Sequence, residues 1–368
     1  MNKERIYFMD YLRVLACLMV ILVHSSENFY LCAPEGAPSG EMVDVVAKIM
    51  TESARFWVAM IDGFSRMSVP LFMIASAYLL CPLKEEQTWG SFFRRRALRI
   101  LPPMICFLVL YSVLPLLWGG TTPQQALKDF LYIPLNFPGT GGHLWFMYPL
   151  LSLYLLIPIL SPWLRKATPR QELMVIGLFL LSTTMIIFNH FGLQVFGQVW
   201  WNPYHGLYPF SGYIGYLVLA HYLRFHLKWS DRKRWAVGLP SIIIGAAITI
   251  WSFYVQIEVG QEQDADTVEL LWHFCTPNVV LMTFGFFLVF STIKRPLPGY
   301  ALVKDISRMS YGMYLMHMFW LVMFSGLLGS LMPVGLAIPA IALSTYVCCY
   351  LTTKLISFLP GSKWIVGV

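Results

Sequence analysis

Ionisable side chains inside long apolar runs are the informative residues of this chain, because each costs about 2.5–3.5 kcal/mol at the centre of a membrane helix. The first apolar run carries Asp10, Arg13 and His24. At 100° per residue Arg13 and His24 fall within about 20° of one line, and Asp10 about 40° from His24. The three therefore share one stripe of one helix, with Arg13 and His24 about 16 Å apart along its axis. Such a stripe must face protein or an aqueous cavity. A histidine there can accept a proton near neutral pH, and an arginine can hold an anion. A structural account also exists: Asp10 and Arg13, at i and i+3, could pair at the inner headgroups, with His24 at headgroup level on the other side. Three ionisable groups on one line favour the functional account. Glu27, three residues beyond His24, is placed to orient the imidazole, and a headgroup-exposed glutamate is the equal alternative.

The densest basic run is Arg94-Arg95-Arg96-Ala97-Leu98-Arg99. It could be an anchor on acidic lipid headgroups. It could equally be a clamp for a polyanion, with Arg96 and Arg99 one turn apart, since guanidinium groups bind phosphate bidentately. Weaker candidates are Gly142-His143-Leu144-Trp145-Phe146, where an aromatic interface belt explains Trp145, and Ser310, Tyr314 and His317 on one helical face. A buried histidine satisfied by a neighbouring helix is the simpler account of His317. Arg66 ahead of Val69-Pro70-Leu71-Phe72 is either an interface anchor or a site residue.

The elements that carry these residues follow from composition. The chain has 368 residues, of which 57% are hydrophobic and 12% charged. Soluble domains carry about 25% charged residues. A soluble enzyme, a disordered chain and a disulfide scaffold are excluded, and an all-α polytopic membrane protein remains, because only internally bonded helices satisfy such runs in lipid. Ten spans are expected, over 8–28, 58–80, 100–118, 143–162, 172–190, 208–224, 235–255, 271–291, 308–328 and 333–357. With both termini inside, nearly all of the 26 Lys and Arg residues fall on the inner side, Lys3, Arg5 and the arginine run among them. Outside lie Lys48, Arg55, Arg66 and Lys128, and Arg13 sits within the first span. That bias places both termini in the cytoplasm. The net charge of +7 is thus a topology signal and not a nucleic-acid face. A cleaved signal peptide is disfavoured by Asp10 and Arg13 in the first apolar stretch and by the lack of a small-x-small cleavage site. No soluble domain is expected, and residues 1–368 form a single membrane domain. The seven scattered cysteines form no CxxC or Cys/His set, so neither a disulfide framework nor a metal site is expected.

Five segments together resemble the acyltransferase 3 family of bacterial membrane O-acyltransferases, over essentially the whole chain. Asp10-x-x-Arg13-x10-His24 is similar to the family's arginine followed by a histidine after ten residues. Val69-Pro70-Leu71-Phe72-x3-Ser76-Ala77-Tyr78-Leu79 resembles its V-P-x-F-F and S-G-[YF]-L segments, with Met73 for the second Phe and Ala77 for Gly. Arg96-x-x-Arg99 matches its cytoplasmic R-x-x-R. His143-Leu144-Trp145-Phe146 and Ser310-Tyr311-Gly312-x-Tyr314-Leu315-x-His317 complete the set. The resemblance implies an acyl-CoA donor, usually acetyl-CoA, and an acceptor hydroxyl on a cell-envelope glycan or lipid-linked sugar at the bacterial inner membrane. It also implies a stand-alone form, because the chain leaves no room for the extracytoplasmic hydrolase-like domain of some members.

On this reading His24, with Arg13 and Asp10, is the catalytic set. Arg95, Arg96 and Arg99 hold the phosphates of CoA. Arg66, His143 and Trp145 line an acceptor mouth, and Glu27, Ser76 and His317 are further polar candidates. The competing expectation is a transporter or flippase of a small molecule or lipid-linked sugar. It predicts inverted repeats and broken helices, and the sequence offers prolines without repeat symmetry.

Overall fold

A computed structural model describes residues 6–368 apart from 34–36, 38–40, 42–44, 194, 198, 200 and 262. Lys3 and Arg5 of the inner basic set therefore lie outside the described residues. The apolar runs fold as helices in chain order: α1 Tyr7–Glu27, α2 Glu52–Ser65, α3 Ser68–Leu80, α4 Trp89–Val113 and α5 Pro123–Tyr132. There follow α6 Met147–Leu164, α7 Pro169–Thr183, α8 Met185–His190, α9 Ile214–Phe225 and α10 Asp231–Gln256. The last are α11 Ala265–Val268, α12 Pro277–Phe290, α13 Tyr300–Leu328, α14 Val334–Ile356 and α15 Ser362–Ile365. The helix starts are written in the sequence. The Thr51, Thr88, Thr168 and Ser230 side chains accept backbone N–H groups at the starts of α2, α4, α7 and α10, and Pro123, Pro169 and Pro277 stand where no N–H is needed.

Among the described residues nine helical stretches are long and apolar enough to cross a membrane, which makes the chain an all-α, multi-pass membrane protein. Two expected spans differ in detail. The stretch over 58–80 is two helices, α2 and α3, which join at Arg66 and Met67. The stretch over 208–224 holds a 3₁₀ turn, His205–Phe210, and the 12-residue α9. Twelve residues rise about 18 Å, short of the ~30 Å hydrocarbon core.

The short helix nevertheless completes a crossing. Gly215 lies against the Phe179 ring, in the second half of α7, and Arg224 at the other end donates to the carbonyl of Tyr78 in the last turn of α3. Both described ends of the chain consequently lie on the face that carries the arginine run. Tyr11 Oη accepts from Leu297 N at 2.9 Å, just ahead of α13, while α15 packs on α4. The positive-inside bias makes this basic face the cytoplasmic one.

Close helix contacts rest on small residues. A Cβ at Gly245 of α10 would meet the Asn278 carbonyl at 2.6 Å, and one at Gly285 of α12 would meet the Gly238 carbonyl at 2.6 Å. Without hydrophobic drive between helices in lipid, such close approach is a main source of association. On the opposite face a short antiparallel sheet, β1 Leu31–Cys32, β2 Val46–Ala47 and β3 Gln263–Asp264, ties the segment after α1 to the one before α12, with Leu31 opposite Ala47 and Val46 opposite Asp264. Beneath it Tyr30, Phe253 and Trp272 are buried, with the last two rings stacked 4.0 Å apart.

Candidate active site: an arginine cleft and a histidine cluster

A cleft of about 230 Å³ opens on the basic face between α1, α3, α4, α6 and α13. Arg13, Arg96, Arg99 and Arg308 line it together with Ser76, Tyr154, Ser307 and Ser310, and among the described residues no carboxylate does. Convergence of three guanidinium groups, those of Arg96, Arg99 and Arg308, is unfavourable unless a polyanion is to sit among them. Arg96 Nε is buried and finds no acceptor among the described residues. The wall farthest from the basic face is apolar. Phe72, Phe146 and Tyr314 close it, with Phe146 edge-on to Tyr314 at 5.8 Å and tilted against Phe72 at 6.3 Å.

One helical turn beyond Tyr314, about 5 Å along α13, three imidazoles meet. His24 of α1 stacks on His317 of α13 at 5.2 Å, and His317 meets the edge of His143 at 4.7 Å. Backbone carbonyls assign two tautomers. His317 Nδ1–H donates to Tyr314 O at 2.6 Å, and His143 Nε2–H donates to Leu315 O at 3.3 Å. The opposite nitrogens, His317 Nε2 and His143 Nδ1, are buried without partners among the described residues. His24 Nδ1 lies 2.5 Å from Glu27 Oε2. Against a carboxylate that nitrogen carries the proton, which leaves Nε2 as the basic atom. Of the two stacked imidazoles only His24 can be reached, at 16% side-chain exposure against 0% for His317. Asn28 borders it, donating to His24 O and Ser325 Oγ, each at 3.0 Å.

The expected single stripe of α1 thus divides between two places. Arg13 lines the cleft, and His24 belongs to the histidine cluster. Asp10 belongs to neither, since it accepts from Tyr300 Oη at 2.6 Å and Ser307 Oγ at 2.7 Å, and so anchors the base of α13 about 21 Å along α1 from His24. Arg95 does not join Arg96 and Arg99. It borders a separate surface groove with Lys84 and Arg94, and Arg308 from α13 takes the place expected for it.

None of the three residues expected to line an acceptor mouth, Arg66, His143 and Trp145, is exposed. His143 is buried beneath His317, and half-buried Trp145 stacks on Phe274 at 5.5 Å. Arg66 is 4% exposed and fully bonded. It donates to Asp62 at 2.7 and 3.1 Å, to Tyr30 Oη at 2.7 Å and to Glu269 at 3.3 and 3.4 Å, and lies 4.4 Å over the Trp272 ring. Tyr30 in turn donates to Glu269. Burial raises the Tyr30 phenol well above its usual pKa despite the opposing charge of Arg66, so the proton for that bond is retained. Asp62, Tyr30 and Glu269 were not among the expected site residues. Asp62 was visible as an acid inside an expected span, one helical turn before Arg66. Glu269 and Tyr30 carried no such signal.

No curated protein and no solved structure matches this chain. The family model described as an acyltransferase domain, Acyl_transf_3, matches residues 6–353, nearly all of the chain. A cationic cleft on one face, a reachable histidine beyond its far wall and a family match of this extent lead to one conclusion: the chain belongs to the acyltransferase 3 family of membrane acyltransferases.

Proposed function

We propose that the protein moves an acyl group, acetyl in the simplest case, from cytosolic acyl-CoA to a hydroxyl of a cell-envelope glycan or lipid-linked sugar at the bacterial inner membrane. The observation that carries this reading is the arginine-lined cleft on the basic face, whose far wall lies one helical turn from the imidazole cluster. Arg96, Arg99, Arg308 and Arg13 hold the phosphates of CoA. The pantetheine arm runs along α1 over the ~16 Å that separate Arg13 from His24. Phe72, Phe146 and Tyr314 part to admit it.

His24 acts as the general base. Its Nε2 takes the proton of the acceptor hydroxyl while the oxygen attacks the thioester carbonyl. The C–O bond forms, the C–S bond breaks, and the proton passes to the departing thiolate, giving CoA-SH and an O-acyl ester. Glu27 fixes the tautomer and stabilises the imidazolium formed on the way. His317 provides the stacked floor of the site.

The test uses purified protein in sealed proteoliposomes with radiolabelled acetyl-CoA and a lipid-linked glycan extract, comparing wild type with His24→Ala. Label reaching the glycan only with His24 present supports the assignment. Equal transfer by both proteins removes His24 from the chemistry. Neither transfer nor CoA release by wild type, with varied acceptors, replaces this reading with transport of a small molecule.

A further inference from the structure

We propose that Glu172, His221 and His226 form a site for a divalent transition metal of the zinc class at the basic face, apart from the arginine cleft and the histidine cluster. One donor atom from each of the three lies within 4.8 Å of the other two. Glu172 stands in the first turn of α7, His221 in the last turns of α9, and His226 caps α9. Sequence spacing hides the group, because its members come from two helices.

The second observation is an orphaned oxygen. Glu172 is 0% exposed, and one of its oxygens, Oε1, takes both imidazoles, His221 Nδ1 at 2.8 Å and His226 Nε2 at 2.9 Å. The other, Oε2, is buried without a partner among the described residues. A buried carboxylate oxygen without a donor is costly, and a cation among the three satisfies it. Two imidazole nitrogens and a carboxylate are a donor set that zinc takes at about 2.0–2.2 Å, with water completing a tetrahedron. Donor atoms around such an ion stand about 3.3 Å apart, so the two imidazole–carboxylate distances widen by roughly half an ångström as the site fills, while the imidazole nitrogens, within 4.8 Å of each other, settle at the same spacing. Each imidazole then carries its proton on the nitrogen turned away from the ion. His226, 20% exposed, gives the ion and its water a way in.

The place gives the ion a task. α9 packs on α3, where Arg224 already bonds the Tyr78 carbonyl, and the last turn of α3 lines the arginine cleft through Ser76, Leu79 and Leu80. An ion that joins α7 to the end of α9 braces that wall from behind.

The test is metal titration of the untagged full-length protein in detergent, stripped with a chelator and dialysed. Zn²⁺ is titrated against a chromophoric competitor, and Co²⁺ is read by its visible absorption. The expected result is one equivalent of Zn²⁺ and an intense tetrahedral Co²⁺ spectrum, both lost in Glu172→Gln and in His226→Ala, with a Zn²⁺-dependent rise in Tm that His226→Ala abolishes. Because His226 is partly exposed, that variant decides the matter even where Glu172→Gln fails to fold. Wild type that takes no Zn²⁺ from the competitor, or variants that bind as wild type does, overturns the site.

Discussion

Arginine occurs in two settings at opposite ends of this molecule. Arg66 lies under the outer sheet with Asp62, Glu269, Tyr30 and the Trp272 face around it, and every arm of its guanidinium is used. Arg96, Arg99 and Arg308 converge on a cleft that no carboxylate lines among the described residues. The first setting holds the fold: a buried charge matched by the buried Asp62 and the half-buried Glu269 joins α2 to the segment before α12. The second stores unfavourable like-charge energy that, on the proposed function, the phosphates of acyl-CoA would relieve. One residue type thus serves stability where its counter-charge is built in and binding where the counter-charge arrives from outside.

The comparison can be broken most severely from the outer end. Arg66→Met leaves Asp62 buried without its cation, so a loss of about 3–5 kcal/mol is expected, read as a steep fall in Tm in detergent. A Tm within a few degrees of wild type would end the structural reading of Arg66. The double change Arg96→Ala/Arg99→Ala should do the opposite, raising the acyl-CoA KM by roughly 10- to 100-fold, as loss of charged hydrogen bonds to phosphate requires, while Tm holds. An unchanged KM would take the phosphates out of the cleft.

Glu27→Gln sharpens the division between cleft and chemistry. It keeps the shape beside His24 but not the charge, so kcat should fall about tenfold, at the low end of general-base effects, with the acyl-CoA KM unaltered. A KM shift of similar size would place Glu27 in binding. Smallest is the salt effect: raising ionic strength from 0.05 to 0.5 M should weaken acyl-CoA binding about severalfold through screening of the exposed arginines. Over the same range the melting of the protein, held in part by the shielded Arg66 network, stays nearly constant.

Much of this was legible along the chain. The apolar runs announce the spans, their prolines and threonines mark the helix starts, and the bias of Lys and Arg orients the bundle. Arg96 with Arg99, and His24 with Glu27, are within one or two turns of each other, so helical geometry alone pairs them. What was hidden is convergence between helices. Arg308 reaches the cleft across some 200 residues of chain, His143 and His317 meet only because α13 packs beside the 3₁₀ turn before α6, and Arg95 leaves the cleft although its neighbour enters it. Arg66 misled because position alone set it at the outer surface, whereas Asp62 and Glu269 draw it inward. The short α9 was read as a full span because apolar composition does not record where a helix begins.

The aromatic wall of Phe72, Phe146 and Tyr314 carries a consequence of another kind. A cavity that crossed a bilayer from one aqueous side to the other would be a defect in an electrical insulator, because a file of water through it would let protons discharge the membrane. A single ion crossing an apolar layer meets a barrier of order 20 kcal/mol by idealised Born solvation, and three rings side by side restore such a layer at the one level where the cleft and the imidazoles come close. An acyl chain and an uncharged pantetheine arm, the parts of the proposed donor that would meet those rings, carry no formal charge and escape that barrier. On the proposed function the wall is a dielectric seal that sorts by charge, one that would let the acyl group through while the phosphates, and the membrane potential, stay where they are.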